Sequence, residues 1–221
     1  MEQRTAEWFA ARCGKVTASR VADVIAKTKT GWGASRANYA AQLVAERLTG
    51  VQEESFSNAA MQWGTEKEPE ARAAYCFFAN ADVVEIGFVD HPTIQMSGAS
   101  PDGLIGEDGL VEIKCPNTAT HIATLLSGKI PEKYVTQMLW QMACTQREWC
   151  DFVSYDPRLP ESMRLFVRRL ERDHAAIESL ENDIADFLVE VSQTVERLRD
   201  KYESHVLPPE SVQLLQLIRA G

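Results

Sequence analysis

The sequence predicts a mixed α/β protein, either α/β or α+β, with a central mixed β-sheet flanked by helices. Short apolar runs bounded by Pro, Gly and Asp crowd the middle of the chain, as strands require. Segments with apolar residues at helical spacing lie on both sides of them. A long amphipathic segment closes the chain, so helices have apolar faces to lay against the sheet.

Taken in order, a first helix is predicted over about 5–13. A second follows "VTAS", with Val21, Val24 and Ile25 at helical spacing. A third, about 36–49, carries Tyr39, Leu43 and Leu48 and stops at Gly50, a C-cap signal. "WGTEKEPEARAAYCFFANA" reads as a helix whose first turn holds Glu66, Glu68 and Pro69, since prolines and acids suit that turn. "VVEIGFVD", "TIQMSGAS" and "LVEIKCP" read as strands, and "PEKYVTQMLWQMACTQ" as a helix. "WCDFVSYD" and "MRLFVRRLE" are two further strands. A long helix is expected from about 173 to 204, followed by a tail at 205–221. With no internal repeat, low-complexity tract or long linker, residues 1–221 suit a single domain.

The composition, 45% apolar and 25% charged, is that of an ordinary soluble protein. No apolar run approaches membrane-spanning length and the polar start "MEQRTAEWFAARCGK" does not read as a signal peptide. The five cysteines, Cys13, Cys76, Cys115, Cys144 and Cys150, include no C-x-x-C pair. That argues for a reducing compartment, hence the cytoplasm, and against a zinc or iron–sulfur site. His91, His121, His174 and His205 form no ligand spacing. The net charge of −9 is unevenly spread: +4 over residues 1–50, −9 over 51–110, +2 over 111–170 and −6 over 171–221. An acid-rich band between basic ones suits a metal site beside a phosphate-binding surface. On charge alone, acids decorating solvated helix faces explain the same counts.

The stretch "SPDGLIGEDGLVEIKCP", Ser100 to Pro116, is more specific. Alternate side chains of a strand share a face, so Glu112 and Lys114 point one way while Val111, Ile113 and Cys115 point the other. A charged pair on one face of an otherwise apolar strand is costly unless it meets water, a partner or a metal. Asp102, in the preceding turn, supplies a second carboxylate. Two carboxylates and a backbone carbonyl make an all-oxygen site suited to Mg²⁺. Lys114 is then placed to orient an attacking water and balance negative charge, as phosphodiester hydrolysis requires. Acid-x-Lys triplets are also common surface ion pairs, but Glu112 begins the only one in this chain.

Pro101-Asp102 followed by Glu112-Ile113-Lys114 resembles the PD-(D/E)xK nuclease superfamily, whose core is restriction-endonuclease-like. Trp8 and "FAARCGKVTAS", with Arg12, Gly14, Thr17 and Ser19, resemble the first motif of the lambda-exonuclease-like (YqaJ) viral recombinase family. "WGTEKE", "SPDGL", "LVEIKCP" and "YVTQ" follow in that family's order, and "VIAK" and "YDPR" are similar to its lambda exonuclease branch. The resemblance spans about Trp8 to Leu170.

It implies a Mg²⁺-dependent exonuclease, with Mn²⁺ a possible substitute, acting on double-stranded DNA from 5′ ends. The 3′ single strand left behind would pass to a single-strand annealing protein. Asp102, Glu112 and the Ile113 carbonyl would hold the metal, Lys114 and Gln137 would attend the reacting water, and Glu68 would complete the acidic cluster. Arg12, Ser19 and Thr17 would hold the 5′ phosphate. The family also implies a homotrimeric ring, with Arg12, Lys15, Arg20 and Lys129 facing its channel, and a phage or prophage origin.

Each role has a plainer rival. Glu68 lies three residues after Thr65 and fits a capping box. Thr17 and Ser19 fit helix N-caps, although hydroxyls and an arginine at a helix start also cradle phosphate. Tyr134, Gln137 and Gln141 share a helix face that need only be solvated. Cys115 and Cys144 read as core fillers. Asp90 is a doubtful further acid, because the loop after it is longer than the family's. A structure-specific or restriction-type endonuclease and a non-catalytic DNA-binding module remain as alternatives; the second sits poorly with an intact Asp, Glu and Lys.

Overall fold

The computed structural model describes residues 1–29, 31–52 and 59–203. The N-terminal part comprises α1 (Ala6–Arg12), β1 (Val16–Thr17), α2 (Val21–Val24), β2 (Lys27–Thr28), β3 (Gly31–Trp32) and α3 (Ala34–Thr49). The middle holds α4 (Ala59–Ala79), β4 (Val83–Val84), β5 (Val89–Asp90), β6 (Ser97–Ala99), β7 (Gly103–Ile105) and β8 (Gly109–Lys114). Then come α5 (Thr118–Ser127), α6 (Glu132–Thr145), β9 (Trp149–Tyr155), β10 (Leu165–Glu171) and α7 (His174–Tyr202). The tail expected at 205–221 lies outside the described residues.

Five strands form the main sheet in the order β10-β9-β8-β7-β4, antiparallel except where β8 runs parallel to β9. β8 is therefore central and buried almost throughout, with apolar packing on both faces. Its period of two separates the faces as expected. Val111, Ile113 and Cys115 join Val153 and Tyr155 of β9 in a cluster covered by Ala71 and Tyr75 of α4. Leu110, with Cys150 and Phe152 of β9, faces the larger core built by α2, α3, α6 and α7. In α7 that face is Ile177, Leu180, Ile184, Phe187, Leu188, Val191 and Val195, spaced three or four apart. The larger side chains here, Trp140, Phe152 and Phe187, each contribute about 1.5–3 kcal/mol by leaving water.

Several boundaries differ from the sequence reading. "VVEIGFVD" is two strands in two sheets: β4 edges the main sheet, and β5 joins a smaller sheet ordered β1-β6-β5. Gly87 lies between them, where an added Cβ would collide with the Met1 carbonyl. The helix around Glu68 begins at Ala59, so Pro69 lies inside it and not in its first turn. An internal proline costs about 3 kcal/mol; burial of Ala71 and Tyr75, with Trp63 packed alongside, holds the helix together. Behind "VTAS" there is a single 3₁₀ turn, Ala18–Arg20, and then only the four residues of α2. The hairpin β2–β3, strand β7 and helix α5 have no counterpart in the sequence reading. Two- and three-residue strands are too short to show a period, and α5, "TATHIATLLS", is rich in β-branched residues.

The "YDPR" motif is structural. Asp156 is fully buried and accepts hydrogen bonds from the Arg158 backbone N–H and from its guanidinium Nε at 2.7 Å. Burial alone would raise its carboxyl, but the Arg158 fork and the Thr118 hydroxyl outweigh that and hold it down at about 2. Arg158 also donates to the Pro116 carbonyl, tying the end of β9 to the exit of β8.

Candidate active site

β8 brings Glu112 and Lys114 onto the face that α6 covers. Glu112 has 1% of its surface exposed. Gln137 Nε2 donates to its Oε1 at 2.6 Å and Gln141 Nε2 to its Oε2 at 2.5 Å. These glutamines are one helical turn apart, so both reach the same strand residue. The polar face of α6 is thus turned inward onto a carboxylate, not solvated, and Gln141 is completely buried. Lys114 Nζ pairs with Glu112 Oε1 and lies 5.2 Å from the centre of the Tyr134 ring.

Asp102 reaches the same place from the turn before β7. Its Oδ2 accepts the Ile113 backbone N–H at 2.6 Å, which orients the carboxylate against β8 and aligns it beside Glu112. Burial, then the charges of Glu112 and Glu68, hold the Asp102 carboxyl well above the usual carboxylate range, against the opposing pull of Lys114 and the Ile113 N–H. For Lys114, burial works to lower the ammonium. Attraction to Glu112 and Asp102 wins, so it is raised and stays protonated.

Glu68 of α4 stands close enough to act on Asp102 but is itself paired, with Arg72 at 2.8 Å and with Arg4 at 2.7 Å. It is no capping residue, because Thr65 lies within the helix and donates to the Met61 carbonyl. Arg4, Glu68, Asp102, Ile113, Lys114 and Tyr134 line a cleft of about 590 Å³. Among the described residues no three His, Cys, Asp or Glu side chains gather as a metal cage. The oxygen set is two carboxylates and the Ile113 carbonyl. That chemistry fits a hard divalent cation that keeps several waters. When bound, such an ion would supply Lewis acidity and an activated water.

A second cavity, of about 370 Å³, is lined by Trp8, Arg12, Thr17, Ser19, Arg20 and Tyr39 among others. Arg12 makes no ion pair among the described residues. It stacks 4.0 Å from the Trp8 ring centre and donates to Ser100 Oγ at 3.2 Å, while its Nε is buried without a partner. Burial pushes its guanidinium down to about 10. Tyr39 and Glu46, which line the same cavity, pull it back up only in part, so this half-buried cation with no direct ion pair among the described residues favours an incoming anion. Thr17 stands at the N-cap position of the 3₁₀ turn but its hydroxyl makes no capping hydrogen bond, and Ser19 lies within that turn. Thr17 is buried and Ser19 exposed, both on this cavity. The short helix behind them offers no useful dipole.

Ser100 was not singled out in the sequence, yet it receives both the Trp8 indole N–H and Arg12, two residues before Asp102. Its position in "SPDGL" was the available signal. Asp90 does not join the acids; it pairs with Lys15 at 2.6 Å on the edge of the smaller sheet. Cys115 and Cys144 are buried fillers, and burial pushes the Cys115 thiol up to about 12.

The YqaJ-like viral recombinase domain matches residues 7–148, well over half the chain. The chain belongs to this family. LHK-Exo, an alkaline exonuclease from Laribacter hongkongensis, is 56% identical over 90% of this chain and 99% of its own, with a TM-score of 0.85. Its crystal structure in complex with dAMP gives 57% identity with the same coverage and TM-score. A phage-related exonuclease from Haemophilus somnus shares the fold, with a TM-score of 0.67 at 14% identity over 83% of this chain and 96% of its own. No match was found among curated proteins. This YqaJ-family chain therefore has the restriction-endonuclease-like fold, and no helix of its described residues is long and apolar enough to cross a membrane.

Because the Asp102 carboxyl is raised in the folded state, its ionisation opposes folding. That penalty is absent below about pH 4, where the group is protonated in both states, and grows above it. Asp102→Asn keeps an oxygen for the Ile113 N–H and removes the charge. In metal-free buffer it should stabilise the protein by on the order of 1 kcal/mol, or about 2–4 °C, at pH 8 and not at pH 4. Melting curves showing an unchanged or lower Tm at pH 8 would refute this.

Proposed function

We propose that this YqaJ-family nuclease is a Mg²⁺-dependent exonuclease, formed by a single domain over 1–221. It degrades linear double-stranded DNA from 5′ ends and leaves a 3′ single strand for a single-strand annealing protein. The observation that carries the reading is the cleft where Asp102 and Lys114 meet, with Glu112 paired to Lys114 behind it, joined through Ser100 to a pocket where Arg12 has no direct ion pair among the described residues. The relative solved with dAMP supports a site that receives a deoxynucleoside monophosphate.

In this reading Asp102, Glu112 and the Ile113 carbonyl would hold the metal, with Mn²⁺ an expected substitute. Lys114 stays protonated, so it acts as a hydrogen-bond donor and counter-charge, not as a base. It would orient the lone pairs of the attacking water and balance charge on the phosphoryl oxygens. Gln137 holds Glu112 and would share in positioning that water. Glu68 would tune the acids from behind its arginines. Arg12, assisted by Ser19 and Thr17, would read the terminal 5′ phosphate, for which a guanidinium fork is well matched.

Glu112→Gln and Asp102→Asn should abolish Mg²⁺-dependent nucleotide release from linear duplexes and leave much of the DNA affinity. Near-normal activity in Glu112→Gln would remove the carboxylates from the mechanism. A covalently closed circle should survive digestion; its cleavage would favour the endonuclease alternative.

Arg12→Ala should narrow the rate preference for 5′-phosphorylated over 5′-hydroxyl ends by about tenfold or more, the effect of losing one charge-assisted contact. Duplexes labelled at either end measure it, and an equal loss on both kinds of end would assign Arg12 a packing role.

A chain of net charge −9 has little long-range attraction for DNA. A ring of three copies around the duplex would retain the substrate topologically, with Lys15, Arg20 and Lys129 expected at the channel. Mass measurement in solution at moderate salt should give a trimer. A monomer that degrades long duplexes without exchanging onto competitor DNA would exclude the ring.

A further inference from the structure

The first five residues are fastened along the rim of the catalytic cleft. Gln3 Nε2 donates to two backbone carbonyls, Ile86 and Pro101, both at 2.8 Å. Pro101 immediately precedes Asp102, so this anchor sits directly beside the acids. Gly87 leaves room for the Met1 carbonyl, and Thr5 ends the segment by donating to Glu2 O and accepting the Trp8 N–H of α1. Between these anchors Arg4 takes φ 67°, the left-handed conformation. That conformation is unfavourable for a non-glycine residue and persists only where the surroundings enforce it. The result puts the Arg4 guanidinium in the cleft with Asp102, Lys114 and Lys133.

In the cleft Arg4 pairs with Glu68, but Glu68 does not depend on it. The other Glu68 oxygen is already paired with Arg72, and both of those side chains are mostly buried. Arg4 keeps 49% of its side chain exposed. The Arg4 side of this pair is open to water, where screening weakens it, so a stronger anion can draw Arg4 over. Its guanidinium has five N–H donors, enough to grip a phosphate while staying near Glu68.

We propose that Arg4 is a phosphate clamp of the catalytic cleft, binding an internal backbone phosphate of the DNA strand and so fixing the strand's register over Asp102 and Glu112. This rests on the nuclease reading above, and it is separate from the terminal phosphate assigned to Arg12. The N-terminal segment is then part of the substrate-binding surface, and Gln3 is the residue that positions it.

The test compares wild type with Arg4→Ala, Arg4→Gln and Arg4→Lys. Equilibrium binding of a linear duplex is measured in metal-free buffer over a range of about 50–300 mM salt, alongside Mg²⁺-dependent kinetics and melting curves. Losing one phosphate contact should reduce the slope of log K against log salt by about 0.9. Arg4→Ala and Arg4→Gln should both show that reduction and a KM raised several-fold, with kcat changed less. Arg4→Lys should recover the slope. Wild-type slope and KM in Arg4→Gln, with only the melting temperature lowered in Arg4→Ala, would reduce Arg4 to a structural tether and overturn the proposal. If wild type shows the Arg4-dependent slope yet hydrolyses no DNA, the clamp stands and the nuclease reading falls.

Discussion

Glu112 lies on the central strand of the main sheet with almost none of its surface in water. An ionised carboxylate in that position costs several kcal/mol unless donors surround it. Lys114, two residues along the same strand, and Gln137 and Gln141, one turn apart on α6, provide them. Charge-assisted hydrogen bonds of this kind return about 1.5–3 kcal/mol each. The compensation works only while β8 keeps its register and α6 its rotation. A shift of one residue would turn Glu112 toward the α4 side, among Val153, Tyr155 and Ala71, where no glutamine waits. Sheet register, helix rotation and the donors around this carboxylate are thereby one problem with one solution.

The two cavities are electrostatically unfinished in opposite senses. In the cleft, burial and then the neighbouring acids raise Asp102, a state that a cation would relieve. In the neighbouring pocket, burial lowers the Arg12 guanidinium and the nearby Tyr39 and Glu46 offset this only in part. A substrate that brings phosphate, together with a divalent ion, would satisfy both. The short path Ser100-Pro101-Asp102 joins them covalently, and Ser100 holds Trp8 and Arg12 from its side chain.

This arrangement also reconciles an acidic protein with a polyanionic substrate. The negative charge lies in the acid-rich band around the cleft and on the exposed faces of helices such as α7, whereas Arg4, Lys114 and Lys133 line the cleft and Arg12, Lys15 and Arg20 the pocket beside it. Local placement decides binding at contact range, since screening removes most of the mean field beyond about 10 Å.

Much of the fold and the centre of the site were legible in the sequence, for a common reason: they depend on relations within one element. The period of two in "LVEIK" puts Glu112 and Lys114 on a shared face, and the helical spacing of α6 aligns Gln137 with Gln141. The apolar stripe of α7 and the Gly50 stop of α3 are equally local. Tertiary structure decided what lies between elements. It turned the polar stripe of α6 onto a carboxylate, gave Asp90 to Lys15, and split "VVEIGFVD" between two sheets because Val83 and Val89 found different partners. It also carried α4 through Pro69, since packing of Ala71 and Tyr75 outweighs one lost hydrogen bond. Ser100 on Arg12, and Arg4 on Glu68 across sixty-four residues, belong to the same class. Periodicity records which residues of a segment face the same way; which group they face is set by the packing of distant segments, and only the folded chain contains it.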